Sequence, residues 1–294
     1  MMHRFARLLS CALIAAVLWA AAPALAAPPL KTLHILVSND DGIEAEGIAA
    51  LVKALRTFAR VTVTAPAENH SGAGHALTVK GPIMVKEVRK NGEFFGWGIE
   101  ATPATCVKIG LAKLVTEPVD LVVSGINEGG NLGKVIYNSG TFGAALEGVL
   151  QGIPGICTSL ERSKDQPMDY EGAAEFVKAY ILAQAKAGFP KDRVININFP
   201  AGKRETWKGF ELTALSDFEF AEFWFPRKTP WGKPYYWNTV RRPTGWQPKP
   251  GTDYHAIDAG KISITPVPLI RPELDAQCLG RLHLEFDGHT LDRR

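Results

Sequence analysis

The stretch Leu33-His34-Ile35-Leu36-Val37-Ser38-Asn39-Asp40-Asp41-Gly42 decides the fold. Its first half is a short apolar run of strand length, and its second half is a small polar turn. Immediately downstream, Ile48, Leu51, Val52 and Leu55 recur at the i, i+3, i+4, i+7 spacing of an amphipathic helix. The same alternation continues outward. Val61-Thr62-Val63-Thr64 reads as a strand, Pro103 to Val115 as a helix and Leu121-Val122-Val123 as a strand. Phe142, Ala145, Leu146, Val149 and Leu150 mark another helix, and Ile153 to Thr158 a strand interrupted by Pro154-Gly155. Tyr170 to Lys186 is helical and Val194-Ile195-Asn196-Ile197 is a strand. Strands alternating with helices imply an α/β protein, a mostly parallel sheet covered on both faces.

Ligands of open α/β sheets sit outside the carboxyl ends of the strands, so the turns there carry the chemistry. The first turn, Ser38 to Gly42, offers two adjacent carboxylates where a nucleotide-cofactor fold would have a glycine-rich loop. Two such anions repel each other, and repel phosphate, unless a cation bridges them. Hard oxygen donors of this kind suit Mg²⁺ or Mn²⁺. An Asp-Asp-Gly surface turn is the plainer alternative. The second turn runs from Ala65 through His70-Ser71-Gly72-Ala73-Gly74-His75, small and polar enough to bring a hydroxyl or an N–H to an anion. His70 and His75 are candidate leaving-group acids. The third runs from Ser124-Gly125-Ile126-Asn127 to Asn131-Leu132-Gly133, and Ser139-Gly140-Thr141 then precedes a helix. Ser139 or Thr141 can cap that helix, whose free N–H groups make an anion site. Gly133-Lys134 is not a phosphate-binding P-loop, because Glu128 stands where its first Gly belongs and Val135 replaces Ser/Thr.

Composition narrows the function classes. The chain has 294 residues, with 33 Lys and Arg against 30 Asp and Glu, which argues against a nucleic-acid binder. Residues 1–26 have a signal-peptide layout: Arg4 and Arg7, an apolar run from Leu8, then Ala24-Leu25-Ala26. The apolar run falls short of the ~20 residues of a membrane span. Cleavage after Ala26 leaves 31 basic and 30 acidic side chains, and it predicts an exported protein, periplasmic or secreted, with no membrane attachment. It also leaves Cys106, Cys157 and Cys278, an odd number with no metal-binding spacing. After Pro200 the character changes. Eleven of the 20 Pro lie between residues 190 and 272, and ten of the 27 aromatics between Phe218 and Trp246. That segment reads as extended hairpins or an arm packed on the sheet or on a second subunit, its aromatics serving mainly packing.

These blocks together resemble the SurE survival-protein nucleotidases. The resemblance is carried by Ser38 to Gly42, Ala65-Pro66 with Ser71-Gly72, Val122 to Asn127, Asn131 to Gly133, and Ser139 to Thr141 with Glu147-Gly148. Gly251-Thr252-Asp253 and Ser263 to Pro266 add to it. It implies a Rossmann-like α/β/α fold with an extended β-rich C-terminal arm. The corresponding division is a signal peptide 1–26, a catalytic domain 27–268 with the arm at 205–265, and a divergent tail 269–294. It further implies one divalent metal ion per subunit on Asp40, Asp41, Ser71 and Asn127, with phosphate contacts from Asn131, Ser139, Gly140 and Thr141. The implied activity is hydrolysis of nucleoside 5′- and 3′-monophosphates, in some relatives also polyphosphate, by a homodimer or homotetramer. Asp40 and Asp41 are the catalytic candidates, one as general base for water or as direct nucleophile. His70 stands where the family commonly has Arg, and Asn138 where it has Tyr or His. Two rivals are an aspartyl-phosphate phosphatase, whose second acid would have to occupy Gly42, and an exported ligand-binding protein using the same cleft.

Overall fold

The computed structural model describes residues 32–269, 282–286 and 289–293. The signal-peptide expectation, Cys11 and Cys278 lie outside them.

β1 (His34–Ser38) is buried along its whole length, and its pleat splits its side chains between two cores. Ile35 and Val37 face one core, and Leu36 the other. α1 (Glu46–Leu55) follows, lays Ile48, Leu51 and Leu55 on the Ile35 side, and returns the chain to β2 (Arg60–Pro66), parallel to β1. A hairpin unforeseen from the apolar spacing comes next: β3 (Val85–Lys90) and β4 (Glu93–Ile99), with β4 parallel to β2 and β3 antiparallel at the sheet edge. Its turn is Asn91-Gly92, with φ of 54° and 84°, the left-handed pair a tight hairpin needs.

α2 (Pro103–Ile109) has Pro at its first position and ends in a wider turn over Gly110–Leu114, so the expected helix to Val115 is two pieces. β5 (Leu121–Glu128) pairs with β1 on the side away from β2. α3 (Gly140–Leu150), β6 (Gly155–Leu160), α4 (Tyr170–Ala187) and β7 (Arg193–Phe199) complete the winding. α1 and α4 cover one face, and α2 and α3 the other.

Beyond Pro200 the chain supplies β8 (Phe210–Leu212), a hairpin of β9 (Ala221–Lys228) with β10 (Pro234–Arg241), a short helix α5 (Asp253–Asp258) and β11 (Ile262–Pro268). β11 returns antiparallel beside β7, and β8 closes the edge. The nine-stranded order is β3-β4-β2-β1-β5-β6-β7-β11-β8. The segment expected as an arm therefore divides: β8 and β11 join the sheet, while β9 and β10 pair only with each other and expose most of their aromatics. β12 (Leu282–Phe286) and β13 (His289–Arg293) form a further antiparallel pair. Among the described residues no helix is long and apolar enough to cross a membrane.

β2 and β5 flank β1 on opposite sides, so the connection reverses direction between β1 and β5. The crevice at their carboxyl ends is the switch point where ligands of such sheets bind. α1 can lie this close to β5 only because residue 47 is Gly: a Cβ there would stand 1.9 Å from the Ile126 carbonyl oxygen. Gly47→Ala is expected to cost about 1–3 kcal/mol through the forced displacement of α1. A urea midpoint unchanged from the wild type would contradict that packing.

Candidate active site

The turn after β1 is fixed by its own polar groups. Asn39 Nδ2 donates to the Gly42 carbonyl at 2.8 Å, and the His70 N–H donates to the Asp40 carbonyl at 2.7 Å, tying the second turn to the first. Gly42 takes φ of 102°, which a residue with a side chain would resist.

Asp40 is buried, and its carboxylate sits on the N-terminus of α3. Thr141 Oγ1 donates to Asp40 Oδ1 at 2.5 Å, and the backbone N–H groups of Gly140 and Thr141 also point to this carboxylate. Gly140 must lack a side chain, since a Cβ would lie 2.8 Å from Asp40 Cβ. Burial nevertheless pushes the Asp40 carboxyl above its ordinary range, against the pull of these donors. Asp41 is half-buried and accepts the Glu128 N–H at 3.0 Å. Its carboxyl is pushed up to about 6, first by burial and then by the neighbouring Asp40 charge.

Asp40, Ser71, Asn127, Asn131 and Ser139 line one cleft of about 210 Å³, together with Gly72, Glu128, Gly129, Gly130, Val135 and Asn138. Asn127 Nδ2 donates to the Gly129 carbonyl at 2.6 Å, so the amide oxygen is the atom left to offer a ligand. Ser139 Oγ caps α3 by accepting the Phe142 N–H at 3.1 Å. Asn131 is set from below by amides on β7. Its N–H meets Asn198 Oδ1 at 2.8 Å, its carbonyl accepts from Asn196 and Asn198, and its Nδ2 donates to Ser159 at 2.9 Å. Larger hollows of about 520 and 400 Å³ open along α4 and the β8 edge. Neither brings together adjacent carboxylates or the turns at the carboxyl ends of β1, β2 and β5, so size does not locate the chemistry.

Two expectations change in detail. Gly140 and Thr141 sit behind Asp40 and hold that carboxylate, so the anion at the head of α3 is a side chain of the protein itself. Neither His70 nor His75 is among the residues lining the cleft, and His75 Nε2 is bound to Glu147 at 2.9 Å. Cys106 and Cys157 are buried free thiols whose deprotonation burial opposes.

Spacing and composition gave no role to Asp253, at the start of α5. It is fully buried and accepts three backbone N–H groups: Gly133 at 2.7 Å, Ser216 at 2.9 Å and Tyr254 at 2.7 Å. It thereby anchors the loop carrying Asn131 to the C-terminal segment. Only its place in the Gly251-Thr252-Asp253 block hinted at this.

The donor set fits a hard divalent ion: two carboxylates, a hydroxyl and an amide oxygen, all oxygen. Among the described residues no group of three His, Cys, Asp or Glu stands ready for a metal, so Asp40 and Asp41 are the charged ligands of this set. The raised Asp41 carboxyl records burial first and the Asp40 charge second, and a bound cation would offset both.

A Rossmann-like sheet with paired carboxylates and polar donors at its switch point defines a protein built to handle small anionic ligands there. The profile of the Survival protein SurE family matches residues 35–222, and the chain belongs to that family. It is 40% identical over 237 residues to a 5′-nucleotidase SurE of Geobacter sulfurreducens, covering 81% of this chain and 88% of the relative. It is 42% identical over 239 residues to a 5′-nucleotidase SurE 1 of Thermus thermophilus, covering 81% and 92%. The crystal structure of the SurE protein from Aquifex aeolicus superposes with a TM-score of 0.70 at 35% identity, covering 84% of this chain and 97% of that one.

The raised Asp41 carboxyl has a consequence for stability. The folded chain holds a proton that the unfolded chain releases between its ordinary 3.8 and about 6, so metal-free stability falls as pH rises through that window. In excess chelator, Asp41→Asn is expected to flatten this fall and to raise the melting midpoint at pH 7 by ~2–4 °C. A variant that melts with the wild-type pH slope would show that Asp41 is not under this strain.

Proposed function

We propose that this chain hydrolyses nucleoside 5′-monophosphates to nucleoside and phosphate, with one divalent ion, Mg²⁺ or Mn²⁺, held by Asp40, Asp41, Ser71 and Asn127. The observation that carries this reading is the placement of Asp40, Ser71, Asn127 and Asn131 around one cleft, with Asp41 beside it. The relatives bearing the name 5′-nucleotidase supply the substrate class. The ion, when bound, neutralises phosphoryl charge and polarises the phosphorus towards attack.

The remaining steps belong to the protein. Asp40 is immobilised by Thr141 and the head of α3, and it lines the cleft, so it serves as a fixed ligand. Asp41 has one backbone donor, the Glu128 N–H, and so keeps carboxylate lone pairs free to take the proton of the attacking water. Asn131, braced by Asn196 and Asn198, offers a preorganised amide to the equatorial phosphate oxygens, and Ser139 stands at the same wall. The 3′-monophosphates and short polyphosphate present the same terminal phosphoryl group and are secondary substrates of this site.

Two further proposals concern assembly and location. The β9–β10 hairpin exposes Trp224, Tyr236 and Trp237 at 57%, 67% and 64%, and we assign it to contacts between copies in a homodimer or homotetramer. The signal-peptide layout of residues 1–26 supports export of the mature protein, from residue 27, to the periplasm or outside the cell.

Phosphate release from a panel of 5′- and 3′-nucleotides and polyphosphate, with and without chelator, tests the reading. Release from 5′-monophosphates should require the divalent ion. Asp41→Asn should lower kcat by about 10²–10⁴ with the fold intact, the range expected on losing a general base. Phosphate release that is undiminished by chelator, or full turnover by the Asn variant, would overturn it.

A further inference from the structure

The reading of Ser71 as a metal ligand leaves its position to be explained, because Ser71 and Gly72 are exposed and a Cβ on Gly72 would meet nothing within 4 Å. The loop is tied at its start by the His70 N–H on the Asp40 carbonyl, 2.7 Å. Further along, the Gly74 N–H donates to the Asn138 carbonyl at 3.0 Å. Gly74 also lies against α3 so closely that a Cβ on Gly143 would stand 2.3 Å from the Gly74 carbonyl oxygen. Four residues after Ser71, the His75 side chain reaches into α3 and meets Glu147.

Glu147 is a buried charge outside the proposed chemistry. Its relative exposure is 2%. Its carboxylate receives Lys108 Nζ at 2.9 Å from α2, Gln151 Nε2 at 2.8 Å from the next turn of α3, and His75 Nε2 at 2.9 Å. Burial pushes the carboxyl up, but Gln151, Lys108 and His75 outweigh it and hold it below the usual carboxylate range. An ionised carboxylate can only accept, so the proton of this contact sits on His75 Nε2. Lys108 already provides the counter-charge, and Gln151 a second donor. What His75 adds is a side-chain tie between the loop that carries Ser71 and α3.

That helix also holds Asp40 at its head, through Thr141. The two ends of α3 thus reference two elements of one site. We propose that the His75–Glu147 hydrogen bond is a positioning device: it fixes Ser71 against Asp40, so divalent-cation affinity depends on a histidine that never touches the cation. The proposal rests on the metal reading of Ser71, and its test separates the two.

Mn²⁺ binding to the purified protein is measured by titration calorimetry, with melting temperature recorded in parallel, for the wild type, Ser71→Ala, His75→Leu, His75→Gln and Lys108→Met. His75→Leu should weaken Mn²⁺ binding about tenfold, as expected of an outer partner that orients a ligand. His75→Gln, whose amide N–H can still donate to Glu147, should recover most of that loss. Lys108→Met removes a partner of the same carboxylate without touching the loop, and should shift the melting temperature with Mn²⁺ affinity unchanged. Wild-type affinity in His75→Leu while Ser71→Ala is weakened would overturn the positioning role alone. Equal weakening in Lys108→Met and His75→Leu would reduce the effect to general destabilisation and overturn it too. Wild-type affinity in Ser71→Ala would remove the ligand reading, and this proposal with it.

Discussion

Two carboxylates on consecutive residues, one of them buried, are held at the mouth of a parallel sheet, and the surrounding structure is arranged to tolerate that charge. Asp40 is placed on the free N–H groups of α3, where the helix end supplies partial positive charge. Thr141 adds a hydroxyl donor, and Gly140 is side-chain-free so that the helix can come close. These donors do not fully offset burial at Asp40, and Asp41, with the Glu128 N–H as its donor, is pushed up as well. The imbalance is local and directional: it faces a cleft walled by oxygen donors. The near-neutral overall balance of the chain offers a phosphate little long-range attraction, which is why the proposed function places a cation in that cleft.

Much of the frame was legible because periodicity reports burial. His34 to Ser38 and Leu121 to Val123 are apolar runs with both faces covered, and Ile48 to Leu55 carries a clear helical stripe. The β3–β4 hairpin escaped because Val85 to Lys90 is an edge strand with solvated side chains and little apolar alternation; its Asn91-Gly92 turn was the usable signal. β8 and β11 were hidden for another reason. Proline content points to hairpins or an arm packed on the sheet or on a second subunit, yet β11 sits within the sheet, antiparallel beside β7, with Pro266 and Pro268 near its end.

The site was legible in its residue types and less so in its division of labour. Asp40, Ser71, Asn127, Asn131 and Ser139 converge as their strand-end positions suggested. Gly140 and Thr141 turned inward, because the nearest anion to a helix N-terminus is here a buried aspartate and not a ligand. Asn196, Asn198, Asp253 and Glu147 were illegible as partners. Each is a polar residue in a strand or helix with at least one partner far off in sequence, such as Asp253 and Gly133 at 120 residues apart. Such pairs are set by topology, which periodicity does not encode.

The most direct measurement is anomalous diffraction from crystals of the protein soaked in Mn²⁺, with data collected at the manganese edge. The expected result is a single strong peak in the cleft, bonded to oxygens of Asp40, Asp41, Ser71 and Asn127. A map with no peak there, or with manganese held by residues that include neither aspartate, would contradict the site at its centre.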